Sequence, residues 1–368
     1  MESCFDILKN LSPEDQTLEI YKGKINSYMG LTRNEKLFYT NAIMQQLFHI
    51  PLFRDIILSL DSEQEKKRQK MLKELQRMFA YMKYSEDSVY DSNKFCECFF
   101  ESMINKEKKE GHSFLEEFFN QVEECLGNTK YKYFLEDYFR TTIVTTYMCL
   151  ECGYTDDNFV SYNSLKLNIK GFDTLNKALK AMFNKTNLFW FCKNCHTEQE
   201  AIKQISISNL PNILIIHLDR IHDNYEFGGK LIEKINDPLE FDFSLDLKEE
   251  KICSENDSIY EFREKEKSKG IYLRKDDYYK YDIQGIITYL GDACRGDYYS
   301  LIRMENNHRI KIFDDHCEEI DEKMVKYLSF GTDSEGPNGY LLVYKRRKDY
   351  PVRILNFKKK IKNQTTIS

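Results

Sequence analysis

The chain has 368 residues, of which 41% are hydrophobic and 31% charged, with a formal net charge of -6. That length can bury a sizeable core in two or three lobes, and the acidic balance argues against a nucleic-acid partner. No apolar run is long enough to cross a bilayer and the N-terminus lacks a basic-then-apolar pattern, so no membrane partner and a cytoplasmic and/or nuclear location are expected. The cysteine count, eleven, is odd, and four of these residues sit in two CxxC pairs, which favours metal binding over disulfides.

Residues 1–27 are polar and read as an extension with one short helix or strand. After Tyr39, the apolar Ile43, Leu47 and Ile50, flanked by Met44 and Phe48, recur at helical spacing. Pro51 interrupts, and Leu52 to Leu60 resumes a helix. Residues 63–84 form an amphipathic helix with Met71, Leu72, Leu75, Met78 and Phe79 on one face. Two further helices, 94–104 and 113–126, surround a charged KEKKEG loop. Cys96 and Cys98, a CxC within this helical stretch, point to different faces and read as packing residues.

From about residue 140 the pattern changes. TTIVTTYMCLECGYT is β-branched and predicts a hairpin ending in a knuckle, and SLKLNIKG alternates as a strand. LNKALKAMF predicts a short helix. AIKQISISNL, NILIIHLDR, KYDIQGIITYLG, YYSLIRME, RIKIFDD and GYLLVYKR predict further strands, so a β-rich half follows a helical half. No internal repeat is apparent. Residues 345–362 carry nine Lys/Arg and read as a solvated basic end.

Cys149-Leu-Glu-Cys152 and Cys192-Lys-Asn-Cys195 are separated by 39 residues. A tight turn points both sulfurs of a CxxC the same way, and four thiolates close a tetrahedral shell. Such a set suits structural Zn²⁺ and leaves no open position for catalysis. The flanking strands fit a zinc ribbon.

Several segments together resemble a known family. Gly30-Leu31 and Tyr39-Thr-Asn41-Ala-Ile-Met-Gln45-Gln-Leu47-Phe48, with Pro51 and Arg54, resemble the nucleophile box of ubiquitin-specific proteases, G-L-x-N-x-G-x-T-C-Y-M-N. Glu117-Phe118-Phe119 is similar to the end of their Q-Q-D-A-x-E-F helix. Leu210-Pro211, Leu214, Leu218 and Arg220 resemble their L-P-x-x-L strand. Tyr281 to Gly285, Gly296-Asp297-Tyr298-Tyr299 and Phe313-Asp314-Asp315 resemble their histidine box, and Gly339 to Tyr344 their closing strand. The run shape is most similar to the fat-facets-type branch. The resemblance implies an α+β, papain-like cysteine protease fold with a helical thumb, a β-rich palm and zinc-ribbon fingers. It divides the chain into an extension (1–27), a protease-like domain (28–347) and a basic tail (348–368). The thumb would span about 28–135, fingers and palm about 136–347, and the zinc ribbon about 140–208.

The departures bear on chemistry. The nucleophile position is Phe38, which has no lone pair to attack a carbonyl. The oxyanion-hole asparagine falls on Arg33, with Asn34 one place off, and the loop glycine on Glu35. The general-base histidine is Asp297. Of the triad only the aspartate, Asp314, survives. No histidine stands near Cys294 to make a relocated dyad, and His316 and Cys317, as strand neighbours, point to opposite faces. Asp297 and Asp314 could form a carboxylate pair, but the preferred reading is that one of them is protonated, pairs with Arg295 or Arg33, or simply faces water. Phe114 falls on a carboxylate that braces the ubiquitin tail, and with Arg295 is expected to crowd that channel. The resemblance therefore implies an inactive pseudo-deubiquitinase that binds ubiquitin or ubiquitinated proteins, or scaffolds other protein partners. The alternatives are an active thiol-dependent deubiquitinase and an interaction module that does not bind ubiquitin.

Overall fold

A computed structural model describes residues 28–33, 39–60, 67–102, 111–224, 231–248, 276–293, 295–304, 306–332 and 336–355. The expected N-terminal extension, Phe38 with Asn34 and Glu35, Cys294, most of the KEKKEG loop and the tail beyond residue 355 lie outside the described residues.

The helical half contains β1 (Gly30–Leu31), α1 (Thr40–Phe48), α2 (Pro51–Ser59), α3 (Lys67–Tyr84), β2 (Val89–Tyr90), α4 (Asn93–Ser102), α5 (Gly111–Leu126) and α6 (Phe134–Tyr138). Pro51 sits at the first position of α2, where its missing N–H leaves no bond unmade. Aromatic rings fill this lobe. Phe53 of α2 packs near Phe79, Phe118, Phe119, Phe134 and Phe139. Phe114 lies 4.6 Å from Phe99 and 5.3 Å from Tyr39, centroid to centroid, and is fully buried. This corrects the expectation that its ring crowds a channel. Burying a phenyl group is worth roughly 2–3 kcal/mol, and the surrounding rings provide that burial.

The β-rich half begins with β3 (Thr141–Cys149), β4 (Thr155–Tyr162), β5 (Leu165–Leu167) and α7 (Leu175–Phe183). It continues with β6 (Thr186–Cys192), β7 (Thr197–Asn209), β8 (Ile213–Leu218), β9 (Ile221–Asn224), β10 (Leu231–Lys234) and β11 (Ser244–Asp246). β12 (Lys280–Gly291), β13 (Gly296–Arg303), β14 (Arg309–Phe313), β15 (His316–Ile320), α8 (Glu322–Phe330) and β16 (Asn338–Arg346) follow. Four strands form an antiparallel ribbon in the order β4-β3-β7-β6. Eight form the main sheet, β15-β14-β13-β12-β16-β8-β5 with β11 on β12, and only β5 runs parallel to its neighbour β8. All six residues of β8 are buried, as its continuous apolar run predicts for a central strand.

The two halves meet at α1, whose nine residues are all buried. The amide nitrogens of its glutamines bond the surrounding backbone, while Thr40 Oγ1 and the Gln45 and Gln46 side-chain oxygens have no hydrogen-bond partner among the described residues. Gln45 donates to the Met29 carbonyl at 2.8 Å, and Gln46 to those of Ile286 and Leu301 at 3.1 and 3.2 Å. Ser300 returns a bond to the Ala42 carbonyl. Gly285 makes room for this docking: a Cβ there would stand 1.9 Å from the Gln46 side-chain oxygen. The fold is thus α+β, with a helical lobe pinned to the main sheet by one buried helix.

Candidate functional site

The N-terminal end of α1 gathers the residues that the family resemblance singled out. β1 pairs in parallel with β2, and the Leu31 amide donates to the Asp314 carbonyl at 2.8 Å. Gly30 permits this approach, since a Cβ would lie 2.5 Å from the Asp315 backbone. Asp314 and Asp315 make the two-residue turn of the β14–β15 hairpin, between the paired Phe313 and His316. Asp314 adopts φ +50°, a left-handed conformation that Asp tolerates better than most residues. The turn aims its carboxylate at α1, where Asn41 Nδ2 donates to Asp314 Oδ1 at 2.8 Å. Asn41 also donates to the Thr32 carbonyl at 2.9 Å and accepts from Ser92 Oγ at 3.1 Å.

Across this cluster, Arg33 Nη2 donates to Asp297 Oδ1 at 2.7 Å. The two positions that the resemblance aligns with an oxyanion donor and a general base therefore carry an ion pair between the segment after β1 and the start of β13. Of the pairings open to Asp297 on sequence grounds, the structure shows Arg33. Burial pushes the Asp314 carboxyl above its ordinary value. The Asn41 bond and the Arg33 charge pull it back, and the charges of Asp297 and Asp315 add to the rise. The Arg33 and Asp297 side chains are 53% and 31% exposed, so the pair contributes about 0–1 kcal/mol to stability. Its consequence is chemical. The Arg33 guanidinium offers donors and no acceptor, and Asp297 is an acceptor already engaged. Nothing in the described cluster is a nucleophile with an adjacent base.

The second constellation lies at one end of the ribbon. Cys149 ends β3 and Cys192 ends β6, and both strands flank β7. Each CxxC closes as a knuckle of the same shape. Gly153 N donates to the Cys149 carbonyl at 3.0 Å, and His196 N to that of Cys192 at 2.9 Å. Gly153 and His196 both take left-handed φ, +71° and +58°. The four sulfurs, of Cys149, Cys152, Cys192 and Cys195, all lie within 4.8 Å of one another, with Cys152 and Cys192 3.6 Å apart. Four thiolates at about 2.3 Å from one ion define a tetrahedron with edges of about 3.8 Å, so the donor set fits zinc. The Asn194 side chain lowers the pKa of the Cys152 thiol, while the contact with Cys152 raises that of Cys195, as two sulfurs this close share a proton. Trp190 braces the ribbon, stacked on Tyr147 at 5.5 Å.

Asn41, Thr32 and Ser92 are participants that sequence reasoning did not assign. Asn41 stood within the quoted motif, but its contact with Asp314 bridges 273 positions in sequence and has no local signal.

A buried helix presented to a sheet, Arg33, Asp297 and Asp314 near that helix's start, and a cysteine quartet on a ribbon match the expected scaffold of the ubiquitin-specific class. The family model for ubiquitin carboxyl-terminal hydrolase matches residues 29–344, and the chain belongs to that family. It is 24% identical over 345 residues to ubiquitin carboxyl-terminal hydrolase 15 of Schizosaccharomyces pombe, covering 88% of this chain and 28% of that protein. It is 22% identical to human ubiquitin carboxyl-terminal hydrolase 24, over 91% of this chain and 14% of that protein. Identity to the Drosophila melanogaster ubiquitin carboxyl-terminal hydrolase puf is 23%, over 87% of this chain and 9% of that protein. The chain thus spans well under a third of the length of these relatives.

Proposed function

We propose that this chain is a catalytically inactive deubiquitinase-type domain that binds ubiquitin or ubiquitinated proteins and acts through binding. The observation that carries this reading is the Arg33–Asp297 ion pair at 2.7 Å, set where the family places its oxyanion donor and general base. With phenylalanine at position 38, an active deubiquitinase lacks its nucleophile and its base together. Binding does not depend on those atoms. One face of the ribbon exposes Phe159, Phe189 and Phe191, at 50%, 71% and 56%, with Met148 on the same side by strand register. Exposed rings on one face of a sheet offer apolar area to a partner. The cysteine quartet would hold structural Zn²⁺ and fix the outer end of that ribbon.

The test pairs two measurements. Ubiquitin carrying an electrophilic C-terminus should leave the protein unlabelled, while free ubiquitin should bind saturably in a titration. Labelling at any cysteine outside the quartet shows an active enzyme. Absence of both labelling and binding favours an interaction module without ubiquitin.

A further inference from the structure

A cavity of about 740 Å³ lies between the helical lobe and the main sheet, at the far end of α1 from the degenerate triad. Phe48, His49 and Pro51, from the α1–α2 junction, line one side together with Arg54 and Lys83. The other side is made by the opposite strand ends from those at the triad. These are the start of β12 (Asp282, Gln284), the end of β13 (Arg303) and the end of β16 (Lys345 to Arg347). The nine residues of α1 place the two sites about 13 Å apart along the helix axis.

The lining is strongly one-sided in charge. Among the described residues Arg54, Lys83, Arg303, Lys345, Arg346 and Arg347 line the cavity with one carboxylate, Asp282, in a chain whose net charge is -6. Arg347 already holds Asp282 at 2.9 Å. Arg54 and Lys83 share one carboxylate oxygen of Asp55, at 3.2 and 2.9 Å. Among the described residues Arg303 bonds an uncharged group, the Asn307 side-chain oxygen, through Nε and Nη2. Lys345 makes no ion pair among the described residues. Arg346 is buried over Tyr278, 4.0 Å from the ring centroid, and bonds the carbonyls of Leu210 and Pro211. His49 adds no compensating or competing charge at neutral pH, because burial lowers its pKa to about 4.

From this arrangement we propose that the cavity is a binding site for a small polyanion, specifically a multiply phosphorylated small molecule. Arg303 supplies a planar fork of donors that matches a phosphate, and Lys345 a mobile point charge. Gln284, which bonds the Arg303 carbonyl at 2.9 Å, positions the Arg303 backbone. The volume falls within the usual range of small-molecule pockets. The cations converge from both lobes on one cleft, which suits a compact ligand carrying several phosphates close together. Because the walls come from both halves, occupancy also ties the helical lobe to the sheet without touching the triad positions.

Isothermal titration of the full chain with inorganic tripolyphosphate, at fixed ionic strength, tests this. Saturable one-to-one binding is expected, weakened at least tenfold by Arg303→Gln with Lys345→Gln. Lys180→Ala with Lys323→Ala, a pair of exposed cations elsewhere, should leave it unchanged. In the unmodified protein, tripolyphosphate should protect Lys345 from amine acetylation more than Lys323, read by peptide mass mapping, which keeps the test valid if the double variant misfolds. No saturable binding, equal loss in both variant pairs, or equal protection of the two lysines overturns the proposal. So does binding of a doubly phosphorylated peptide where tripolyphosphate fails.

Discussion

Asp297 stands where the resemblance expects a general-base histidine. A histidine there would titrate near neutrality and pass a proton. The carboxylate instead accepts a charge-assisted bond from Arg33 and stays committed to it. Restoring the triad on paper should therefore fail in practice. Phe38→Cys with Asp297→His is expected to leave hydrolysis of a ubiquitin–fluorophore conjugate within about tenfold of background, because the new histidine would face the Arg33 guanidinium and its protonated form would be disfavoured. Turnover well above that level shows that Arg33 yields its place. His49 gives a second prediction at this scale. Burial and, to a smaller extent, the Arg54 charge lower its pKa from 6.5 to about 4, against a favourable bond to the Gln45 carbonyl. Between those values the unfolded chain takes up a proton that the folded chain refuses. The stability present above pH 6.5 is thus lost as pH falls towards 4, by roughly 1–3 kcal/mol. Urea midpoints at pH 7, 5 and 4 should fall accordingly, and His49→Gln should flatten the fall.

Among the elements, those with strong periodicity were legible in sequence. The alternation of β7, the apolar run of β8 and the amphipathic face of α3 all lie where the residue spacing predicts. β15 and α8, in the stretch between Asp315 and Gly339, did not stand out. Yet α8 carries a readable start, Asp321 accepting from the Met324 amide at 2.7 Å, and a Gly331 stop at φ +92°. Short β1 and β2 exist only because tertiary contacts to Asp314 and Thr32 complete them, which no local pattern encodes. The cysteine quartet was legible because two-residue spacing forces the knuckle, whereas the Arg33–Asp297 pair joins residues 264 apart. The ribbon follows from the same logic. Apart from its base, where Ile143, Val144 and Ile207 are buried, much of its surface is open, so the four sulfurs carry its outer end. Metal analysis should find one zinc per chain. Chelation, or Cys192→Ser, should increase amide exchange in β3, β6 and β7 while leaving β12 and β16 unchanged. Uniform exchange across both sheets means that the quartet does not staple the ribbon.

On the scale of the whole molecule, the degenerate triad and the exposed ribbon rings belong to different parts, so losing one does not remove the other. The triad cluster sits where α1 meets β13 and the β14–β15 turn, and the rings Phe159, Phe189 and Phe191 lie on the four-stranded ribbon. Ubiquitin's flexible C-terminal tail would have to approach the first region, and its globular body the second. At the first, Arg33 is paired across to Asp297 and the sequence carries phenylalanine at position 38, so the tail would find fewer groups to answer its backbone. Each amide left unpaired on burial costs roughly 1–3 kcal/mol, which removes the advantage of seating the tail. At the second, the apolar face remains available and hydrophobic contact area does not depend on catalysis. Ubiquitin lacking its last few residues should therefore bind about as well as the full-length protein, and Phe189→Ser with Phe191→Ser should weaken both forms alike. Parallel titrations of the two ubiquitins decide this. A loss of more than about tenfold on truncation, about 1.4 kcal/mol, means that the triad region still grips the tail and that the Arg33–Asp297 pair opens to admit it.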